Sequence, residues 1–433
     1  MTLVRDLRKR ADALLLDGQY REALAGFTQL VCSAPSDNHA RLRVADALLA
    51  LGEVQQAATV YTTLARHAMH GGHPLTAMIG LKVLTTLEPQ LSSLLRSLAD
   101  LYARDSGRTG VGVRRSLVDA AGEVAHSRPV PDANDERLIP FSVEQATNVS
   151  DAGESYPEVL PPIPLLSRLG ASSLAAVANE FELVRVAANE SIIQQGTVGD
   201  ALYILARGTV RVEQDRMDGS RVKMVQLYDG AIFGEMALIS DVPRSAHVVA
   251  EGSADLLRLS RESVRQISSE APELSETLER FTRERLLKNL LDTAPLFRGL
   301  ERGQRIDLAR NFTALEVSAG TDVVAEGHEG KGLFVVLKGE VDVWKRDGNE
   351  KVLLATLRSG EVFGEIATLS GGSATATVTT ASGCTLLFLT KESVQRLMSA
   401  VPSIRGYVEA LGDQRILDTR ILLIRDPDSV IED

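Results

Sequence analysis

Along the first hundred residues, apolar side chains recur at three- and four-residue spacing: Leu3, Leu7 and Leu14, then Leu42, Ala45, Leu48 and Leu49. That period places them on one face of a helix, and nothing in the stretch alternates as a strand would. The helices also repeat. Gly18, Ala23 and Phe27 return as Gly52, Ala57 and Tyr61, each 34 positions later, which is the period of a helix-turn-helix unit. Small residues let paired helices approach closely, and the aromatic fills the space between them. Pro35 closes the first unit, and a third set, Gly72, Ala77, Leu81 and Pro89, is offset by 20. The shorter offset is expected if the helix carrying Tyr61 and Leu64 also opens the next unit.

From Asp105 to Pro164 glycines and prolines dominate, with scattered acids between them. This composition predicts a flexible linker with one short helix near Arg114 to His126. Beyond it a second repeat begins. Gly196, Gly199 and Leu202-Tyr203-Ile204-Leu205 return as Gly327, Gly330 and Leu333-Phe334-Val335-Val336, 131 residues on, while Phe233-Gly234-Glu235 returns as Phe363-Gly364-Glu365, 130 on. Short apolar runs broken by glycine predict strands, and Asp218-Gly219 and Asp347-Gly348 sit where a hairpin must reverse. Each copy is predicted to be a small antiparallel β-roll, helical at both ends. The expected helical flanks are Leu165 to Glu180 and Ser260 to Leu291, then Leu296 to Phe312 and Lys391 to Leu411.

The expected fold is therefore α+β multidomain, an N-terminal α-helical solenoid followed by two jelly-roll-like β-rolls. The boundaries are 1–104 for the helical repeats, 105–160 for the linker, 161–291 and 292–412 for the rolls, and 413–433 for a C-terminal tail. Gly18-Gln19-Tyr20, Ala23, Phe27 and Pro35 resemble the tetratricopeptide repeat over about a quarter of the chain. The resemblance implies an array that holds a protein partner; an unrelated helical bundle is the alternative.

A length of 433 residues has room for about three domains, in agreement with this division. A formal charge of −11 disfavours nucleic acid, since no Lys/Arg-dense run offers a local basic patch. Cys32 and Cys384 have neither metal-type nor redox-type partners nearby in sequence, as suits a reducing compartment. No uninterrupted apolar run approaches the roughly 18 residues of a spanning helix. The expectation is a cytoplasmic protein with neither membrane nor nucleic acid as partner. No nucleophile elbow, phosphate loop or metalloprotease run is present, so neither a catalytic nor a metal site is predicted, and no cofactor.

The most informative stretch runs from Phe233 to Val248. Gly234 lets backbone approach a ligand, and the residues after it suit a short helix opening toward an anion. Nine positions past Glu235, Pro243 fixes a turn and Arg244 presents a guanidinium fork suited to a phosphate. Glu235 beside a phosphate makes sense as an acceptor for neutral hydroxyls of the same ligand, which points to a ribose.

This segment closely resembles the phosphate-binding cassette of cyclic nucleotide-binding domains, the ligand domains of protein kinase A regulatory subunits and catabolite activator proteins. The resemblance implies that Glu235 takes the ribose 2′-hydroxyl and Arg244 the cyclic phosphate. Gly234, Met236, Ala237, Ser245 and Ala246 would line the site. In that family a Thr in this neighbourhood often favours guanine; Ser245 does not decide the matter, and the expectation leans to cyclic AMP over cyclic GMP. The implied function is a non-enzymatic cyclic nucleotide receptor that relays binding through the inter-roll helix to a protein held by the helical repeats. A structural scaffold with vestigial rolls, and the regulatory subunit of a protein kinase, are the alternatives.

The second copy departs from the pattern. Gly364 and Glu365 remain, but the ninth position after Glu365 is Ala374, followed by Thr375. Without its arginine this pocket is expected to be degenerate and empty of cyclic nucleotide, the alternatives being weak binding of it or a different, uncharged ligand. Two weaker signals are His67, His70 and His73, read as a solvated helix end, and Arg114-Arg115-Ser116, one residue out of register with a kinase inhibitor site.

Overall fold

Turn glycines delimit the helical region. Helices α1 (Val4–Leu16) and α3 (Asn38–Ala50) end where Gly18 and Gly52 adopt φ of +77° and +84°, a conformation that favours glycine. The next N–H then reaches back to the last turn, Gln19 to the Leu14 carbonyl and Glu53 to that of Leu48, both at 2.9 Å. With α2 (Tyr20–Ser33), α4 (Val54–His70), α5 (Pro74–Leu87) and α6 (Ser93–Tyr102), each helix packs on its successor. The repeating Ala23, Phe27, Ala57, Tyr61 and Ala77 are buried among them. The computed structural model describes residues 4–110, 129–149, 156–215, 219–235, 244–293, 297, 300–348, 350–370 and 372–424. It divides into two compact units, Met1–Phe281 and Thr282–Asp433.

The stretch expected to be a flexible linker holds a helix, α7 (Leu138–Thr147), packed on α2, α3 and α4. Its Leu138, Ser142 and Ala146, four residues apart, form the buried face. Arg41, buried in α3, donates to the carbonyls of Gln145, Ala146 and Asn148 at the end of α7, and to Pro35. A guanidinium there satisfies carbonyls that the helix leaves without partners. Composition marked the flanks of α7 but not the arginine that docks it. The helix expected at 114–126 lies outside the described residues.

The first roll follows α8 (Ala171–Glu180). Strands β1 (Glu182–Val186), β2 (Ser191–Ile193), β3 (Ala201–Arg207), β4 (Val210–Asp215), β5 (Arg221–Leu227), β6 (Ile232–Phe233), β7 (His247–Ala250) and β8 (Ala254–Ser260) form two antiparallel sheets, β1-β8-β3-β6 and β2-β7-β4-β5. Leu205, Val210 and Leu256 fill the roll, while Leu202, Ile204 and Leu257 face the helices. The expected single helix from Ser260 to Leu291 is two helices, α9 (Arg261–Glu270) and α10 (Glu273–Thr293). Pro272 lacks the N–H that continuity requires.

Charges join this roll to the helical region. Asp255 on β8 is fully buried and accepts from Arg207 Nε at 2.6 Å. Asp46 on α3 accepts from Arg43 and from Arg185 of β1, each at 2.7 Å, and from the Tyr61 hydroxyl. Burial alone would raise the Asp255 pKa, but the guanidiniums of Arg207, Arg43 and Arg185 outweigh it and hold it below the usual carboxylate value. His39 lies between Arg8 at 2.8 Å and Arg207 at 2.5 Å, one against each ring nitrogen.

The second unit repeats the topology eight strands on. After α11 (Arg302–Asn311) come β9 (Thr313–Val317), β10 (Asp322–Val324), β11 (Gly332–Lys338), β12 (Val341–Asp347), β13 (Glu350–Leu357), β14 (Val362–Phe363), the short α12 (Glu365–Ser370), β15 (Thr377–Thr380) and β16 (Cys384–Thr390). The sheets are β9-β16-β11-β14 and β10-β15-β12-β13. Gly348 sits at the expected hairpin between β12 and β13. The closing helix is again divided by proline, into α13 (Lys391–Ala400) and α14 (Pro402–Ile424), and α14 continues through residues expected to be tail.

Candidate functional site

Between β6 and β7 of the first roll, the backbone of Arg244 is held on both sides. Its N–H donates to the Thr197 carbonyl and its carbonyl accepts from Gly196 N–H, both at 2.8 Å. The guanidinium folds back onto carbonyls, Nη1 to Gly234 at 2.7 Å and Nη2 to Ala201 at 2.8 Å. Gly234 is at φ +78°, and a Cβ there would come within 2.8 Å of Arg244 Nη1 and 3.0 Å of the Ala201 carbonyl oxygen. Partial burial lowers the Arg244 pKa from its ordinary value, against the pull of Tyr203, Asp200 and Glu235. Among the described residues no carboxylate pairs with its fork directly. A partly desolvated cation whose partners are neutral carbonyls is poised for an anion.

Glu235, beside Gly234, is buried at 5% exposure. Ser245 is exposed and Ala246 half-buried; the Ser245 carbonyl accepts from Gln214 at 3.3 Å. The structure thus brings Gly234, Glu235 and Arg244 together at one end of the roll. Met236 and Ala237 lie outside the described residues.

The second roll keeps the cradle and loses the side chain. Ala374 N–H donates to the His328 carbonyl at 2.7 Å and its carbonyl accepts from Gly327 at 2.8 Å, the same pairings as at Arg244. The Thr375 carbonyl accepts from Lys345 at 2.8 Å, as that of Ser245 does from Gln214. Gly364 again has a positive φ, +83°, and its carbonyl is taken by the Thr368 hydroxyl at 2.7 Å. Glu365, at 2% exposure, pairs with Arg415 of α14 at 2.9 Å. Arg415 also donates to the Val362 carbonyl at 2.6 Å. No local spacing in the sequence announced Arg415, because it reaches the site from 50 residues away.

The histidine run is not a solvated helix end: His67 is buried, and the rings of His67 and His70 pack on Tyr156 at 5.9 and 5.5 Å. Among the described residues no three His, Cys, Asp or Glu side chains are placed to share a metal ion. No helix among them is long and apolar enough to cross a membrane. Arg114 to Ser116 lie outside the described residues.

Residues 183–271 and 314–400 each match the cyclic nucleotide-binding domain family. The chain carries two cyclic nucleotide-binding domains. It is 29% identical over 269 residues to the cAMP-dependent protein kinase regulatory subunit of Blastocladiella emersonii, covering 62% of this chain and 63% of that protein. To the corresponding subunit of Yarrowia lipolytica it is 31% identical over 237 residues, covering 55% and 59%. The chain therefore spans a little under two thirds of the length of these relatives. Among solved structures, the regulatory domain of Toxoplasma gondii PKA with cAMP aligns at 22% identity and a TM-score of 0.29, covering 58% of this chain and 92% of that one. Both of these relatives are regulatory subunits, not catalytic ones. Both cyclic nucleotide-binding domains lie C-terminal to the helical region.

Proposed function

We propose that the chain is a cyclic nucleotide receptor whose ligand, cyclic AMP, occupies the first roll. The observation that carries the reading is the fork of Arg244, held on two carbonyls beside Gly234 and the buried Glu235. The cyclic phosphate draws Arg244 off the carbonyls of Gly234 and Ala201, while Glu235 accepts from the ribose 2′-hydroxyl. Ser245 and Ala246 line the rest of the site, with cyclic GMP the weaker ligand. Two routes lead onward: α9 and α10 along the chain, and the Arg185–Asp46 ion pair with the Arg207–His39 contact toward the helical region. That region, read as a tetratricopeptide-like array, would hold a protein partner in the cytoplasm. Coupling requires two states that ligand and partner bias differently.

Calorimetry tests the site. One equivalent of cyclic AMP should bind the full chain, and Arg244→Ala should abolish it. Absence of heat at high-micromolar ligand with folded protein would sink the reading in favour of a scaffold with vestigial rolls. The relatives favour one particular partner class, a protein kinase catalytic subunit. That reading requires a kinase to co-purify with the chain and to leave on addition of cyclic AMP.

A further inference from the structure

The second roll encloses a cavity of about 440 Å³, in the range of small-molecule sites. It lies between the cradle around Ala374 and the helix α14, which contributes Leu411, Gln414, Arg415, Asp418 and Thr419 to its wall. Val324, Val343, Leu357 and Val378 supply an apolar slot in its wall.

Its polar groups discriminate against an anion. Five carboxylates line it, those of Asp322, Glu329, Glu361, Glu365 and Asp418. Two cations oppose them. Lys331 is exposed to solvent, where its charge is screened, and the charge of Arg415 is balanced by Glu365, which with the Val362 carbonyl takes its Nη1. At the position of the first roll's arginine stands Ala374, buried at 7% exposure. The carbonyl that an arginine there would address, that of Gly364, is occupied by Thr368. A phosphate in this cavity would face five acidic residues against two cations, one screened by solvent and the other already paired with Glu365.

Glu365 points to what does fit. Arg415 takes its Oε1, but among the described residues nothing donates to its Oε2, although the side chain is almost wholly buried and lines the cavity. An unpartnered carboxylate oxygen on a side chain that lines the cavity can accept from a neutral donor, and a hydroxyl supplies one without adding charge. We propose that the second pocket takes a neutral ribonucleoside, its sugar hydroxyl on Glu365 and its base in the apolar slot, and rejects the cyclic nucleotide. The assignment of sugar to Glu365 rests on the reading given above for Glu235; the loss of phosphate binding rests on this pocket's own lining.

The full chain carrying Arg244→Ala and Glu235→Gln, which silences the first roll toward phosphate and ribose alike, is titrated calorimetrically with adenosine, guanosine and cyclic AMP. One nucleoside should bind with 1:1 stoichiometry, and cyclic AMP about a hundredfold or more weaker. Adding Glu365→Gln should weaken the nucleoside roughly tenfold or more. Adding Ala374→Arg instead should move the preference toward cyclic AMP, a readout that survives if Glu365→Gln fails to fold. The proposal falls if neither nucleoside binds at millimolar concentration, if cyclic AMP binds as tightly as the better nucleoside, or if Glu365→Gln leaves nucleoside binding unchanged. Cyclic AMP binding to the unaltered chain is a separate measurement, so failure of the first-roll reading and failure of this one are told apart.

Discussion

Replacing Asp255 by alanine puts the junction between helices and first roll to a quantitative test. The carboxylate is fully buried, the Arg207 side chain is 11% exposed, and their contact is 2.6 Å. Removing one member of a buried pair leaves the other desolvated and uncompensated, at a cost of about 3–5 kcal/mol. Here the low end applies, about 3 kcal/mol, because Arg185 keeps Asp46 as a partner and Arg207 keeps its contact with His39. Hydrogen exchange on the full chain reads the loss locally, as a fall of roughly a hundredfold in protection of β8 and α3 amides. The acid limb has a definite sign. The folded carboxyl titrates below 3.8, so its contribution is complete above that pH and fades as pH falls through the folded value. The double variant Arg207→Met with Asp255→Leu removes both charges and should recover most of the loss. A loss under about 1 kcal/mol for Asp255→Ala, or a double variant no better than the single, would refute the reasoning.

Three further outcomes are expected. Burial, with Arg207 and Arg8 against its ring, holds the His39 pKa well below 6.5. The unfolded chain therefore binds a proton that the fold refuses, and the first unit should lose about 1 kcal/mol between pH 7 and 5.5 by denaturant titration; His39→Gln should flatten that slope. Gly234→Ala forces a Cβ into a left-handed conformation at a cost of about 1–2 kcal/mol. Because that Cβ also crowds Arg244 Nη1, cyclic AMP affinity measured by calorimetry should drop while the fold persists. Arg41→Met strips the end of α7 of its donor, so limited proteolysis should cut within 129–149 faster than in the unaltered chain.

What the sequence disclosed depended on range. The cassette was legible because Gly234, Glu235 and Arg244 lie within eleven consecutive residues, and the duplication because its spacing recurs at 130 and 131. The same counting found the vacancy at Ala374, and the structure adds that the backbone pairings there are unchanged. The breaks at Pro272 and Pro402 are a local signal, since proline lacks the N–H that a continuous helix needs. Contacts across long separations left no trace: Arg415 on Glu365, Arg41 on the end of α7, and Arg207 between Asp255 and His39. Each is an ordinary arginine in its own neighbourhood and acquires its role only when another element arrives. His67 illustrates the reverse, a polar residue read as solvated that an incoming tyrosine covers.

Asp46 accepts from two arginines and a tyrosine, and one of those arginines belongs to the first roll. A fragment cut at residue 104 would keep Asp46 and Arg43 but lose Arg185, Arg207 and Asp255, exposing a face of charges built to be internal. A roll expressed alone would carry the other half of the same wound. The helical region and the first roll are thus expected to be inherited, expressed and unfolded together, and the natural cut in this chain lies near Phe281, after the roll rather than before it.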